Sequence, residues 1–206
     1  MALTLAQPHR HPVLADRLLP GSAAARTTLL VALGTGLTAL AGQFAIPVPG
    51  SPVPVTGQSF AVLLTAAALG PVRAVASQAL LLVLGAVGLP VFAHGASGAH
   101  VVFGATGGYL IGFLIAAALV GQGARLGADR SPWRALPLYA LATLAVYAAG
   151  TSWLALSTGM SASAAIAAGV VPFLVGDALK AALAAGLLPA AWRVVGRIDG
   201  TTTDKG

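Results

Sequence analysis

The stretch GVVPFLVGDALKAALAAGLLPAAW, residues 169–192, holds Asp177 and Lys180 three positions apart inside an apolar run. On a helix that spacing puts both side chains on one face, which Phe173 and Ala184 continue. A charged side chain at the centre of a membrane helix costs roughly 2.5–3.5 kcal/mol on insertion scales. Aspartate N-terminal to lysine is the favourable order, yet such a pair stabilises an exposed helix by only ~0.2–0.5 kcal/mol. Either the two charges neutralise each other as a packing lock, or both heads point into a cavity and complete their bonding with a ligand. The imbalance between insertion cost and pair energy favours the second. An acceptor beside a cation suits a small ligand with N–H donors and an anionic or carbonyl oxygen.

Thr56 and Gln58 open another apolar segment at the same level. Thr56 reads equally as a helix cap or a site residue, and Gln58 as a polar group of the pocket. Phe92, Tyr109 and Trp153 suit either an interfacial belt or a pocket wall. GATGGY, residues 104–109, lacks the Lys-Ser/Thr pair of a nucleotide loop. Its glycines, Gly108 among them, point to close helix packing or close ligand approach. His94 and His100 lie six apart on a loop without a carboxylate, so no metal site is expected. Cysteine and glutamate are absent, which removes disulfides, thiolate ligands and cysteine nucleophiles. No histidine accompanies the serines and threonines of the apolar segments as a base. Neither an enzyme nor a cofactor is expected.

Of the 206 residues, 57% are hydrophobic and 8% charged, with a mean hydropathy of +0.89. Soluble domains carry about a quarter charged residues, so an integral membrane protein is expected. The pI near 10.9 does not signal nucleic acid, because the basic residues neither form runs nor alternate with aromatics. They flank apolar segments instead. A ~30 Å hydrocarbon core takes about 20 helical residues. On that ruler the segments are 27–46, 56–69, 72–89, 106–124, 135–156 and 170–195, the second being short and ending at Gly70-Pro71. The first is too long for a signal peptide and is followed by no A-x-A-like site.

Ten of the eleven basic residues fall before segment one, in alternate links or after segment six; the eleventh is Lys180. Positive loops stay cytoplasmic, so both termini are expected inside, as is an even number of spans. This divides the chain into a cytoplasmic segment 1–26, a six-helix substrate-binding domain 27–196 and a cytoplasmic tail 197–206. The uncharged links face outward. PVPGSPVPVTGQ, with four prolines in twelve residues, cannot continue a helix. Like the glycine-rich link after Leu89, it is too apolar for a plain solvated loop and reads as a cap folded over a cavity. In VALGTGLTALAG, Ala32 and Gly36 form a smooth small-residue face, suited equally to internal packing and to partner docking.

IPVPGSPVPVTGQSFAVLLTAAALGPVRA, GAVGLPVFAHGASG, GATGGYLIGF and PFLVGDALKAALAAGLLPA occur in this order between residues 32 and 192. Together they resemble the BioY family, the biotin-binding S components of energy-coupling-factor (ECF) vitamin transporters. The combination is specific where each motif alone is weak. The resemblance implies an all-α fold of six transmembrane helices around an outward-facing biotin pocket that includes Asp177 and Lys180. It also implies partners: a T-type membrane coupling protein and ABC-type ATPase subunits. Biotin suits the chemistry above, since its ureido ring offers two N–H donors and a carbonyl, and its tail a carboxylate. The sequence departs from the family's pattern at Ala105, where relatives often have proline, and at AHGASGAH, which replaces a more glycine-rich loop. The alternatives are an S component for another small vitamin and a structural or assembly membrane protein without a ligand.

Overall fold

The computed structural model describes residues 11–18 and 22–203, so Arg10 and Lys205 lie outside the described residues. A short helix α1 (Leu14–Leu18) precedes the long α2 (Ala23–Gln43). Two-residue strands β1 (Ala45–Ile46) and β2 (Val55–Thr56) pair antiparallel, Ala45 opposite Thr56. Then come α3 (Gln58–Leu69), α4 (Pro71–Ala86), a 3-10 turn (Ala93–Gly95), α5 (Ala99–Phe103) and α6 (Gly107–Arg125). A second 3-10 turn (Ala128–Arg130) leads to α7 (Pro132–Thr158) and α8 (Ala162–Gly169), and a third (Val171–Phe173) leads to α9 (Leu174–Thr203).

The six segments expected from hydropathy coincide with α2, α3, α4, α6, α7 and α9. Among the described residues, four stretches are long and apolar enough to cross a membrane: 23–43, 107–125, 132–158 and 162–196. The other two helices have 12 and 16 residues. The Gly70-Pro71 junction sets their lengths. Gly70 takes φ 79°, a backbone that favours glycine. Pro71 stands at the first position of α4, where its missing N–H leaves no helical bond unmade.

Helix α6 is the centre of the bundle and packs against α3, α4 and α7. Its glycines permit this. A β-carbon on Gly108 would collide with Trp153 Cβ, and one on Gly112 would lie 2.8 Å from Val146 Cα. Of the two readings of GATGGY, close helix packing is the one realised at Gly108.

On α2 the packed small residues are Gly34 and Gly42, not Ala32 and Gly36. A β-carbon on Gly34 would meet Ser77 Oγ at 2.6 Å, whereas none would touch anything within 4 Å at Gly36. Ala32 is exposed. Polar bonds reinforce the buried face: Thr35 Oγ1 donates to Ser77 O at 2.9 Å, and Gln78 Nε2 to Thr38 Oγ1 at 3.2 Å. Such bonds between helices replace water that an apolar surrounding cannot supply.

The packed core also takes in residues before position 26. Val13, Leu14 and Ala15 are buried in the core, and α1 lies against α3 and α9. The anchor is electrostatic: Asp16 pairs with Arg73 at 2.8 Å and with Arg125 at 3.4 Å. Burial raises the Asp16 pKa, but the Arg73 hydrogen bond and the charges of Arg73 and Arg125 outweigh it and hold the carboxyl below its ordinary value. Nearby, the indole N–H of Trp192 donates to Asp129 Oδ2 at 2.5 Å, and Arg130 stacks 4.3 Å from the Trp192 ring centre. Burial pushes the Asp129 carboxyl above its ordinary value, offset in part by Trp192 and Arg130. At the other boundary, α9 runs unbroken through residue 197 to Thr203.

Candidate ligand-binding site

At the opposite ends of these helices lies a cavity of about 350 Å³, walled by the start of α3, the loop after Leu89, and α6, α7 and α9. The proline-rich link and the glycine-rich link both contribute, through Val53, Pro54, Phe92 and Ala96. Both therefore fold over the cavity as caps. Proline explains the first, because it removes donors and confines strand pairing. The link forms a ladder only two residues long and closes as a hairpin over Gly50, at φ 78°.

The polar part of the wall is one hydrogen-bonded cluster. Asp177 Oδ1 accepts from Ser59 Oγ and from Lys180 Nζ, both at 2.9 Å, and Oδ2 accepts from Tyr147 OH at 2.8 Å. Lys180 Nζ also donates to Thr56 O at 2.6 Å and to Ser59 Oγ at 3.1 Å. Asp177 is 8% exposed, so these bonds replace water. Both heads are bonded to other groups of the protein as well as to each other. The pair is closed at 2.9 Å and satisfied by the protein, yet it faces the cavity. The reason is tertiary: α3 and α7 bring a hydroxyl each to a carboxylate 118 and 30 residues away.

Thr56 combines both of its readings. Its Oγ1 accepts from Gln58 N at 3.2 Å, as a cap does, and it lines the cavity. Gln58 lines it too and is buried, its carboxamide lodged against Gly42. Its Nε2 has no hydrogen-bond partner among the described residues. Phe92 is held against Gly85, where a β-carbon would collide with the ring. Tyr109 presents its ring to the cavity while its hydroxyl donates to Gly169 O at 2.8 Å. Gly108 and Trp153 are not brought into the wall. They pack on each other between α6 and α7, and Trp153 Nε1 donates to Gly104 O at 2.9 Å. With no room for a β-carbon between them, no ligand fits there either.

Ser59, Tyr147 and Phe113 line the cavity without having been singled out in the sequence. Tyr147 carried a signal: Tyr139, Thr143, Tyr147 and Thr151 recur every four residues, a polar stripe along one face of α7. Ser59 and Phe113 carried none. His94 also lines the cavity, exposed and with a left-handed backbone at φ 56°. That conformation costs a residue bearing a β-carbon about 1–2 kcal/mol.

A profile of the family described as BioY matches residues 13–197. The chain belongs to the BioY family. Among its BioY relatives, the probable biotin transporter BioY of Pyrococcus horikoshii is 38% identical over 78% of this chain and 92% of its own length. Biotin transporter BioY2 of Lactococcus lactis subsp. cremoris is 35% identical over 75% of this chain and 83% of its own length. The crystal structure of the S-component for biotin from an ECF-type ABC transporter superposes with a TM-score of 0.77. It is 26% identical and covers 85% of this chain and 95% of that one. The BioY match takes in α1 from Val13 onward. The relatives are named as transporters, not enzymes.

Proposed function

We propose that this chain is a multi-pass protein of the bacterial cell membrane whose cavity binds biotin for uptake, acting as the S component of an ECF transporter. The observation that carries the reading is the cavity itself, with apolar walls and one polar cluster around Asp177 and Lys180 beside the unpartnered Gln58 amide. A volume of about 350 Å³ lies at the small end of the usual range of ligand pockets. The bicyclic ring of biotin fills the apolar space, and its ureido group, with two N–H donors and a carbonyl, matches a mixed donor and acceptor wall.

Six spans put both termini in the cytoplasm and the cavity outside, a reading supported by the ten basic residues that lie in the sequence before the first apolar segment, in alternate links and after the last. Energy comes from separate ATPase subunits and a T-component membrane protein, since the chain carries no nucleotide loop. Ala32 and Gly36, unused by internal packing, suit the docking of that partner.

Equilibrium binding of labelled biotin to the purified protein in detergent tests the reading. Saturable binding at one site, resisted by excess unrelated vitamins, is expected; an absence of saturable binding overturns it. In the same preparation A32L/G36L keeps biotin binding and loses co-purification with the coupling protein.

A further inference from the structure

The two fixed charges of the cavity leave no place for an anion. Lys180 Nζ has three donors, and all of them are taken by Thr56 O, Ser59 Oγ and Asp177 Oδ1. Asp177 is itself negative. A ligand carboxylate therefore needs donors elsewhere on the wall. Three side chains there donate to nothing in the described structure: the Gln58 amide, the Thr56 hydroxyl and the His94 imidazole. Gln58 is buried and Thr56 lies beside the charged cluster, whereas His94 is exposed at the rim.

The backbone singles out the same residue. Among the described residues His94 is the one non-glycine at positive φ (56°). Its turn is tightly held: Gly95 N donates to Phe92 O at 3.2 Å, Ala96 N to Ala93 O at 3.1 Å, and Phe92 N to Ala96 O at 3.1 Å. The same loop uses glycine at two other left-handed positions, Gly95 and Gly98. Histidine at 94 thus bears a strain that glycine would relieve, and strain of this kind clusters where a side chain is needed by a ligand.

We infer that His94 determines specificity for the acid end of the ligand: its imidazole N–H donates to the carboxylate at the cavity rim. This rests on the biotin reading above. With the ureido group at the Asp177 cluster, the flexible tail runs outward to His94, and a free acid is preferred over an ester.

The test measures binding of biotin and of biotin methyl ester to the wild-type protein and to His94→Gly. A hydrogen bond to a charged group corresponds to roughly ten- to hundredfold in affinity. His94→Gly is expected to weaken biotin binding by that factor and to leave ester binding unchanged. Its thermal midpoint without ligand should be equal or higher, because glycine adopts the left-handed backbone freely. Unchanged biotin affinity in His94→Gly overturns the contact, as does an equal loss for the ester. If the wild-type protein binds neither compound, the biotin reading fails, and this contact with it.

Discussion

Two clusters of opposite charges sit at opposite ends of the same bundle. At the cavity, Asp177 meets one cation, Lys180, and two hydroxyls. At the other end, Asp16 of α1 is shared by two arginines, Arg73 and Arg125, beside the buried Val13–Ala15. Both clusters satisfy charge, buried at Asp177 and half-buried at Asp16, with hydrogen bonds and ion pairs, so the bonding pattern alone does not distinguish a site from a clasp. Empty space does. The Asp177 cluster borders a cavity and an unpartnered amide, while the Asp16 cluster ties a terminal segment to α4 and α6. The spare cation at Asp16 also makes that cluster tolerant of a single loss, and the Asp177 cluster has no such reserve.

The largest effect should come from Lys180→Met. Removing one partner of a buried pair leaves the other charge uncompensated and costs about 3–5 kcal/mol, read as a lowered midpoint in thermal unfolding, together with weakened biotin binding. Asp177→Asn/Lys180→Met removes both charges and should recover much of the stability but not the affinity. Near-normal biotin binding by the double variant would make the cavity cluster a packing lock and erase its difference from the Asp16 cluster.

Arg73→Met should have a smaller effect, about 1–3 kcal/mol, because Arg125 remains 3.4 Å from Asp16. Biotin affinity should stay the same. The depressed Asp16 pKa also sets a pH window. Its stabilisation is complete above the ordinary carboxylate value of about 4 and is lost as pH falls through the lower folded value. Acid unfolding of the wild-type protein should therefore steepen below about pH 4, and Arg73→Met should flatten that limb. A biotin affinity that moves with Arg73 would show the two ends to be coupled.

The smallest effect separates the two faces of α2. Gly36→Ala meets nothing and should gain up to about 1 kcal/mol from helix propensity. Gly34→Ala drives a β-carbon toward Ser77 Oγ and should lose about 1–3 kcal/mol by overpacking. Equal midpoints in thermal unfolding would mean that the α2–α4 contact is looser than its geometry.

Much of this was legible from the chain alone, because apolar run length and helix spacing are local properties. The six apolar helices, the break at Gly70-Pro71 and the shared face of Asp177 and Lys180 each depend on residues within one or two turns of each other. Thr56, Gln58, Phe92 and Tyr109 were legible as candidates because they cluster at one set of helix ends, and all four line the cavity. Gly108 and Trp153 share that end, yet the rotation of α6 against α7 turns them into the helix contact.

The sequence by itself determined that the protein is helical and apolar, that its basic residues flank apolar segments, and that one segment carries a charged pair three residues apart. Only the tertiary structure decided that Ser59 and Tyr147 close that pair, that Val13–Ala15 join the core, and that His94 reaches the cavity with a left-handed backbone. The physical reason is distance along the chain. Hydrogen bonds bridging 118 or 30 residues depend on how helices rotate and pack, and hydropathy reports neither.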